Sequence, residues 1–459
     1  MRNHHGRIHS RPQRSRIRRC AQASSAVEFF NVLTGPELLE VTEAHLPEHR
    51  ERLYPPTVTL SMFMRQALEE DRSCQRAVNG WAAQRAGEGL RVQSIRTGGY
   101  CQARQRLPVE MVQALTRESG RLLSTRARPG WRWRGRPVKL VDGTGISMPD
   151  TPENQAVYPQ PASQAEGVGF PLSRLVGVIC LATGAVLQAR MGPHAGKGTG
   201  ELGLFRSLTG ALSAGDVLIG DALYCSYFVI ATLAASGVDV LCEQHGSRGS
   251  DFRRGQRLGP RDHLVRWSRP QRPSWMTPEQ YAAFPEELTV REVKVGARVL
   301  VTTMLDQRRV RKHELCELYG RRWNVELDIR AIKTTLGMEV LSCLTPQMVE
   351  KELWVYLLAY NLIRLLMAQA ADLSGVHPRQ LSFKHAVQLW IAWTSVRPTC
   401  RPPESTQLFL LIAQIKVGNR PGRIEPRARK RRPKPYPWLK VPRAEARRQI
   451  RVYGHLLDA

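Results

Sequence analysis

Three acidic residues, far apart in this 459-residue chain, stand where chemistry could use them. Asp142 follows the apolar run Val138–Val141, and Asp221 follows Val217-Leu-Ile-Gly220. A carboxylate at the C-terminal end of a buried strand lies at the sheet edge, where open α/β sheets place their ligands. Taken singly, each aspartate is equally suited to form a turn or cap a helix. The third acid, Glu326, belongs to a longer pattern with Tyr319, Arg322 and Lys333. At ~100° per residue these four fall within about 60° of one line on an ideal helix, in a stripe ~21 Å long. Leu315, Leu318, Val325, Ile329, Ile332 and Leu336 form an apolar stripe on a neighbouring face, so the polar stripe borders the packed side. The plainer alternative is a solvated face with an incidental Arg322–Glu326 pair.

Acids from two strands and one helix can converge on a pair of Mg²⁺ ions, which prefer hard oxygen ligands and keep part of their water; Mn²⁺ is the natural substitute. Two such ions ~3.5–4 Å apart clamp the attacking and leaving oxygens of a phosphodiester. Tyr, Arg and Lys on the same helix would grip the phosphates beside the scissile bond.

The spacing Tyr-(2)-Arg-(3)-Glu-(6)-Lys at Tyr319, Arg322, Glu326 and Lys333 resembles the signature of a large branch of bacterial insertion-sequence DDE transposases. Val141-Asp-Gly-Thr and Gly220-Asp-Ala-Leu-Tyr224 look like the first and second acid motifs of that branch. Tyr100-Cys-Gln-Ala-Arg104, Tyr360-Asn-Leu-Ile-Arg364 and Asn419-Arg-Pro-Gly-Arg also look familial, so the resemblance spans most of residues 57–440. Many relatives carry Arg after the second Asp, where this chain has Ala222. The resemblance implies Asp142, Asp221 and Glu326 as catalytic, metal-binding acids, with Tyr319, Arg322 and Lys333 on transposon-end phosphates. It also implies a ribonuclease H-like core with a β insertion before the last acid. The partners implied are double-stranded DNA, as terminal inverted repeats and target, and a second copy of the chain in a homodimer. A bacterial, nucleoid-associated location in the cytoplasm follows from the same resemblance.

The elements that must position these residues can be read along the chain. Helical spacing at Leu60, Phe63, Met64, Ala67 and Leu68, and again at Met111, Ala114 and Leu115, predicts a helical domain over 35–125, read as DNA-binding. Short apolar runs at 138–141, 175–181, 186–190, 217–219 and 238–241 predict strands, with helices over 200–212 and 224–235. Three strands, then helix, strand, helix, strand is the element order of a ribonuclease H-like α/β core, over 136–245 and, with the Glu326 helix, 306–345. Between these parts, 246–305 reads as a β-rich insertion. A helical region follows over 346–415.

Charge frames all of this. Lys and Arg number 68 against 40 Asp and Glu, a formal net charge of +28 that favours a polyanionic partner over a small-metabolite enzyme. Residues 1–20 carry +7 and residues 420–451 carry +11, so two basic segments, an arm over 1–34 and a tail over 416–459, hold most of the excess. Nine cysteines, none closer than 17 residues to another, exclude a CxxC zinc pair and suit free thiols in a reducing compartment. The longest apolar run, 353–367, contains Asn361 and Arg364, so a soluble protein without a membrane span is expected.

Weaker candidates remain. Trp267, more than Trp275, could stack on a base, and Arg291 could face nucleic acid; packing roles compete in each case. Tyr100 and Arg104 could bind phosphate or pair within a helix. Glu201 suits a helix start. His245 and His263 lack a partner at zinc-ligand spacing. Two other functions stay open: a DNA-binding remnant with an idle triad, and a ribonuclease H-like nuclease indifferent to terminal repeats.

Overall fold

The computed structural model describes residues 36–46, 53–87, 89–91, 94–196, 198–396, 402–417 and 439–457. The arm over 1–34 and the tail segment over 418–438 lie outside the described residues.

Nine strands form one mixed sheet: β1 (Val138–Ser147), β2 (Leu172–Cys180), β3 (Val186–Pro193), β4 (Val217–Gly220), β5 (Asp239–Glu243), β6 (Gln256–Gly259), β7 (Asp262–Ser268), β8 (Glu287–Val295) and β9 (Arg298–Thr302). Their spatial order is β3-β2-β1-β4-β5-β9-β8-β7-β6. β1, β4 and β5 run parallel, and every other neighbouring pair is antiparallel. The parallel strands are covered on both faces, which is why they read as unbroken apolar runs. Leu140, Val217, Ile219 and Leu241 face one apolar cluster. Val141, Leu218, Val240 and Cys242 face the other. Helix Tyr227–Ala235 carries the chain from β4 to β5 and packs in the second cluster.

The segment read from sequence as an insertion continues this same sheet. β9 pairs antiparallel with β5, Leu241 opposite Thr302, and β8, β7 and β6 add on outside it. A paired edge leaves no row of open backbone groups on β5.

Helix Pro346–Leu373 is the centre of the first cluster. It is long and apolar enough to cross a membrane, yet 89% of its most apolar stretch is buried inside the fold, so the apolarity serves the core. Its Asn361 accepts the Val186 N–H at 2.8 Å and donates to the Val186 carbonyl at 2.8 Å, tying the helix to β3.

Among the described residues, five α-helices precede β1, at Pro36–His45, Pro56–Leu68, Cys74–Gly87, Gly98–Arg106 and Val109–Thr125. Pro56–Leu68 and Val109–Thr125 share a core with the sheet: Leu60, Phe63, Met111 and Leu115 join the cluster of Leu353 and Ile363. Gly120 lets Val109–Thr125 lie directly on β3, since a Cβ there would stand 2.2 Å from the Val186 carbonyl oxygen. Tyr100 and Arg104 are used internally. Tyr100 is fully buried and donates to Gln66 Oε1 at 2.8 Å. The Arg104 guanidinium sits 3.8 Å over the Phe63 ring and bonds the Cys74 and Cys343 sulfurs. The seven cysteines among the described residues are free.

Candidate active site at the β1–β4 edge

Asp142 is the fifth residue of a ten-residue strand, whereas the sequence suggests that it ends one. β1 pairs with β4 only over residues 138–140, then continues on β2 alone as far as Ser147 opposite Leu172. Asp142 therefore leaves the parallel part of the sheet without leaving its strand. Asp221 follows the last residue of β4 directly. Both aspartates lie two residues past the Leu140–Ile219 pair, on adjacent strands ~4.8 Å apart. Asp142 Oδ1 accepts the Gly143 N–H at 2.8 Å, and Asp221 Oδ1 accepts the Leu223 N–H at 2.9 Å, capping the turn Ala222–Tyr224.

Burial pushes Asp142 up to about 6, and the charges of Asp221 and Glu201 add to it; the Gly143 N–H and the Arg322 guanidinium pull the other way. Glu201 is raised as well, first by burial and then by Asp221, with Arg174 opposing. At this edge of the sheet, burial and neighbouring acids thus raise Asp142 and Glu201 against the pull of Arg322 and Arg174.

The helix opposite is not the straight rod that the spacing suggests. It comprises Lys312–Gly320, a tightened turn at Arg321 and Arg322, Trp323–Arg330 and a π-helical segment Ala331–Thr335. Across the turn the bonds run to the third residue back, Arg322 N–H to Tyr319 O and Val325 N–H to Arg322 O. Overwinding there and underwinding at the π segment shift the polar residues away from their ideal-helix angles; π segments inside helices frequently mark functional sites. Arg322 Nη2 grips Glu326 Oε1 at 2.7 Å. Lys333 Nζ reaches β1, donating to the Gly145 carbonyl at 2.9 Å and to Thr144 Oγ1 at 3.3 Å. Tyr319 is buried, donates to Glu243 Oε2 at 3.2 Å, and has its phenol raised by burial and by the Glu243 charge.

Asp328 holds this helix in place. It is fully buried, with Arg364 Nη2 at 2.6 Å and Arg379 Nη1 at 2.7 Å. Sequence reading passed over it, although an acid three residues after Val325 and four before Ile332 falls inside the apolar stripe. That position signals a buried ion pair.

Trp267 and Arg291, read as candidate DNA contacts, are placed elsewhere. Trp267 is 3% exposed, donates its indole N–H to Glu292 Oε1 at 2.9 Å, and has the Arg248 guanidinium 3.9 Å over its ring. Arg291 is fully buried and forked onto Asp262 at 2.8 and 2.7 Å. Both side chains are spent inside the β6–β9 layer, because β7 and β8 turn one face into the core. Of the two candidate tryptophans, Trp275, at 45% exposed, is the one at the surface, under Arg206.

Among the described residues, no three His, Cys, Asp or Glu side chains are grouped closely enough to hold one ion, and Glu326 is engaged by Arg322. The donor set of Asp142, Asp221 and Glu326 is nevertheless carboxylate oxygen, the ligand type that suits a hard divalent cation.

A mixed sheet with paired acids at its parallel edge, faced by a helix of Arg, Glu and Lys, defines an enzyme of phosphoryl transfer on a polyanion. Residues 133–362, half of the chain, match the transposase DDE domain family, and the chain belongs to that family of DNA transposases, enzymes that use divalent metal. It is 27% identical over 415 residues to the transposase InsG for insertion sequence element IS4 of Escherichia coli strain K12, covering 88% of this chain and 91% of the relative. The cryo-EM structure of a piggyBac transposase synaptic complex with hairpin DNA matches at a TM-score of 0.41 and 10% identity, over 91% of this chain and 87% of that one.

Proposed function

We propose that this transposase excises and integrates an insertion sequence by hydrolysis of the end phosphodiester followed by strand transfer, with Asp142, Asp221 and Glu326 holding two Mg²⁺ ions. The observation that carries this reading is the shared level of Asp142 and Asp221 at the β1–β4 edge, facing the Arg322–Glu326 pair. The order β1-β2-β3, helix, β4, helix, β5 supports a ribonuclease H-like core over 136–245 and 306–345, with 246–305 as an insertion that widens its sheet. When bound, the metal neutralises charge on the attacking and leaving oxygens and makes water a better nucleophile.

The chain's own groups do the rest. Arg322 holds Glu326 at 2.7 Å, and a phosphate arriving at the Arg322 guanidinium competes for that bond and frees the carboxylate. Lys333, beside Gly145, grips a second phosphate oxygen, and Tyr319 backs the same helix. Water adds to phosphorus as the strand's 3′ oxygen leaves with a proton; the new 3′-OH then attacks the target strand, expelling its 3′ oxygen. The helices over 35–125 and the basic segments at 1–34 and 416–459 bind double-stranded DNA, terminal inverted repeats and target alike. Two copies of the chain pair the two ends, at the nucleoid.

The test is cleavage of the element's own terminal repeats in Mg²⁺ by the parent and by Asp142→Asn, Asp221→Asn and Glu326→Gln proteins. All three should lose at least about 10³-fold in rate with DNA binding kept. Parent-like cleavage by Glu326→Gln would sink the assignment, and cleavage indifferent to the repeats would favour a plain nuclease.

A further inference from the structure

We propose that Arg72 is a positioning residue of the reaction: it ties the helices over 35–125 to the strap that returns the Glu326 helix to β1, and so sets where Lys333 stands. The strap is residues 337–341. Behind the π segment the chain turns at Gly337, whose φ is +77°, and the Met338 and Glu339 N–H groups bond back to the Ile332 and Lys333 carbonyls, each at 3.3 Å. The same strap then pairs with the far end of β1. Ser147 N–H donates to the Glu339 carbonyl at 3.2 Å, and Leu341 N–H donates to the Ser147 carbonyl at 2.9 Å. Lys333 reaches β1 just before that point, at Thr144 and Gly145. A shift of the strap therefore shifts Lys333 against the strand that carries Asp142.

Arg72 stands in the turn between helices Pro56–Leu68 and Cys74–Gly87, 265 residues from Gly337 in the chain. Its Nη1 donates to the Gly337 carbonyl at 3.2 Å. The guanidinium lies where a side chain of residue 337 would begin, so glycine is needed there for clearance as well as for the positive φ. The turn itself is held firmly. The Arg72 carbonyl accepts Gln66 Nε2 at 2.5 Å, and Gln66, buried, accepts the Tyr100 hydroxyl from helix Gly98–Arg106. Arg72 Nε is buried with no hydrogen-bond partner among the described residues, a cost that a loose surface arginine avoids by turning to water. A second arginine makes the same join. Arg104 bonds Cys74 Sγ at 2.9 Å through Nη1 and Cys343 Sγ, just past the strap, at 3.1 Å through Nη2. Arg72 acts on the cut only if Lys333 serves it as proposed above.

The test is single-turnover cleavage of terminal-repeat DNA by full-length protein in Mg²⁺, at saturating DNA and well below the melting temperature of each variant. Arg72→Met, which keeps much of the side-chain length without the donors, should cut at least about tenfold more slowly, with DNA affinity within about twofold of the parent. Arg72→Lys, which keeps the charge and one donor, should recover part of the rate. Arg72→Met combined with Lys333→Met should cut no more slowly than Lys333→Met alone, because Arg72 acts through that side chain. Parent-like cleavage by Arg72→Met overturns the role of Arg72 and leaves Lys333 standing. A loss confined to DNA affinity, or single losses that simply multiply in the double variant, overturns it as well. Parent-like cleavage by Lys333→Met overturns both readings. If Arg72→Met melts below the assay temperature, Arg72→Gln, polar but too short to reach Gly337, is read in its place.

Discussion

Asp142 and Asp221, 79 residues apart in the chain, each lie two residues beyond the Leu140–Ile219 pair of β1 and β4. That shared level places like charges side by side at the edge of a buried sheet. Burial at that edge pushes Asp142 up to about 6, and the Asp221 charge adds to it.

The folded protein consequently holds a proton on Asp142 at pH values where the unfolded chain, near 3.9, has lost it. Its contribution to stability is complete below about pH 4 and is lost as the pH rises through about 6. Metal-free Asp142→Asn protein, which carries no charge there, should be more stable than the parent at pH 7.5 by about 1–2 kcal/mol, and close to it at pH 4. Urea unfolding at the two pH values reads the difference, and an equal gain at both would refute it.

Asp328 should be the most costly acid to neutralise for folding. Replacing it by Ala strands Arg364 and Arg379 with no counter-charge inside the core, a loss of about 3–5 kcal/mol. Denaturant unfolding should register this even without metal or DNA. A change under about 1 kcal/mol would mean that water reaches the pair.

The two tryptophans of the β6–β9 layer should separate by stability. Trp267→Ala opens a cavity and leaves Glu292 short of a donor, costing about 3–5 kcal/mol. Trp275→Ala, at a half-exposed position, should cost less than about 1.5 kcal/mol. Thermal melts of the two variants side by side make the comparison.

DNA affinity should fall steeply with salt. Deleting residues 1–20 removes seven arginines and should lower the slope of log affinity against log salt by up to about 6, at ~0.9 per phosphate contact. A slope unchanged by the deletion would show that this segment leaves the phosphates alone.

Much of the layout was legible in the sequence because its cues are local. Alternating and continuous apolar runs located β1, β4 and β5, and the 2-3-6 spacing of Tyr319, Arg322, Glu326 and Lys333 marked a helix at an interface. Trp267 and Arg291 stayed open between DNA and packing because an aromatic ring or a guanidinium looks the same in sequence whether it faces DNA or a buried Glu292 or Asp262. Asp328 was overlooked for the converse reason, since its partners stand 36 and 51 residues further along the chain.

By itself the sequence determined residue types and spacings: which acids follow apolar strands, which basic residues share a helix with Glu326, and where the excess charge lies. Tertiary structure alone decided that β4 stops where Asp142 begins to be free of it. It also decided that the helix tightens after Tyr319 and loosens at Lys333, and that Glu201 packs over Gly143. The reason is physical. Spacing along a chain sets which face a residue shares with its neighbours, but strand register, side-chain clearance and the pairing of buried charges are settled between segments that only packing brings together.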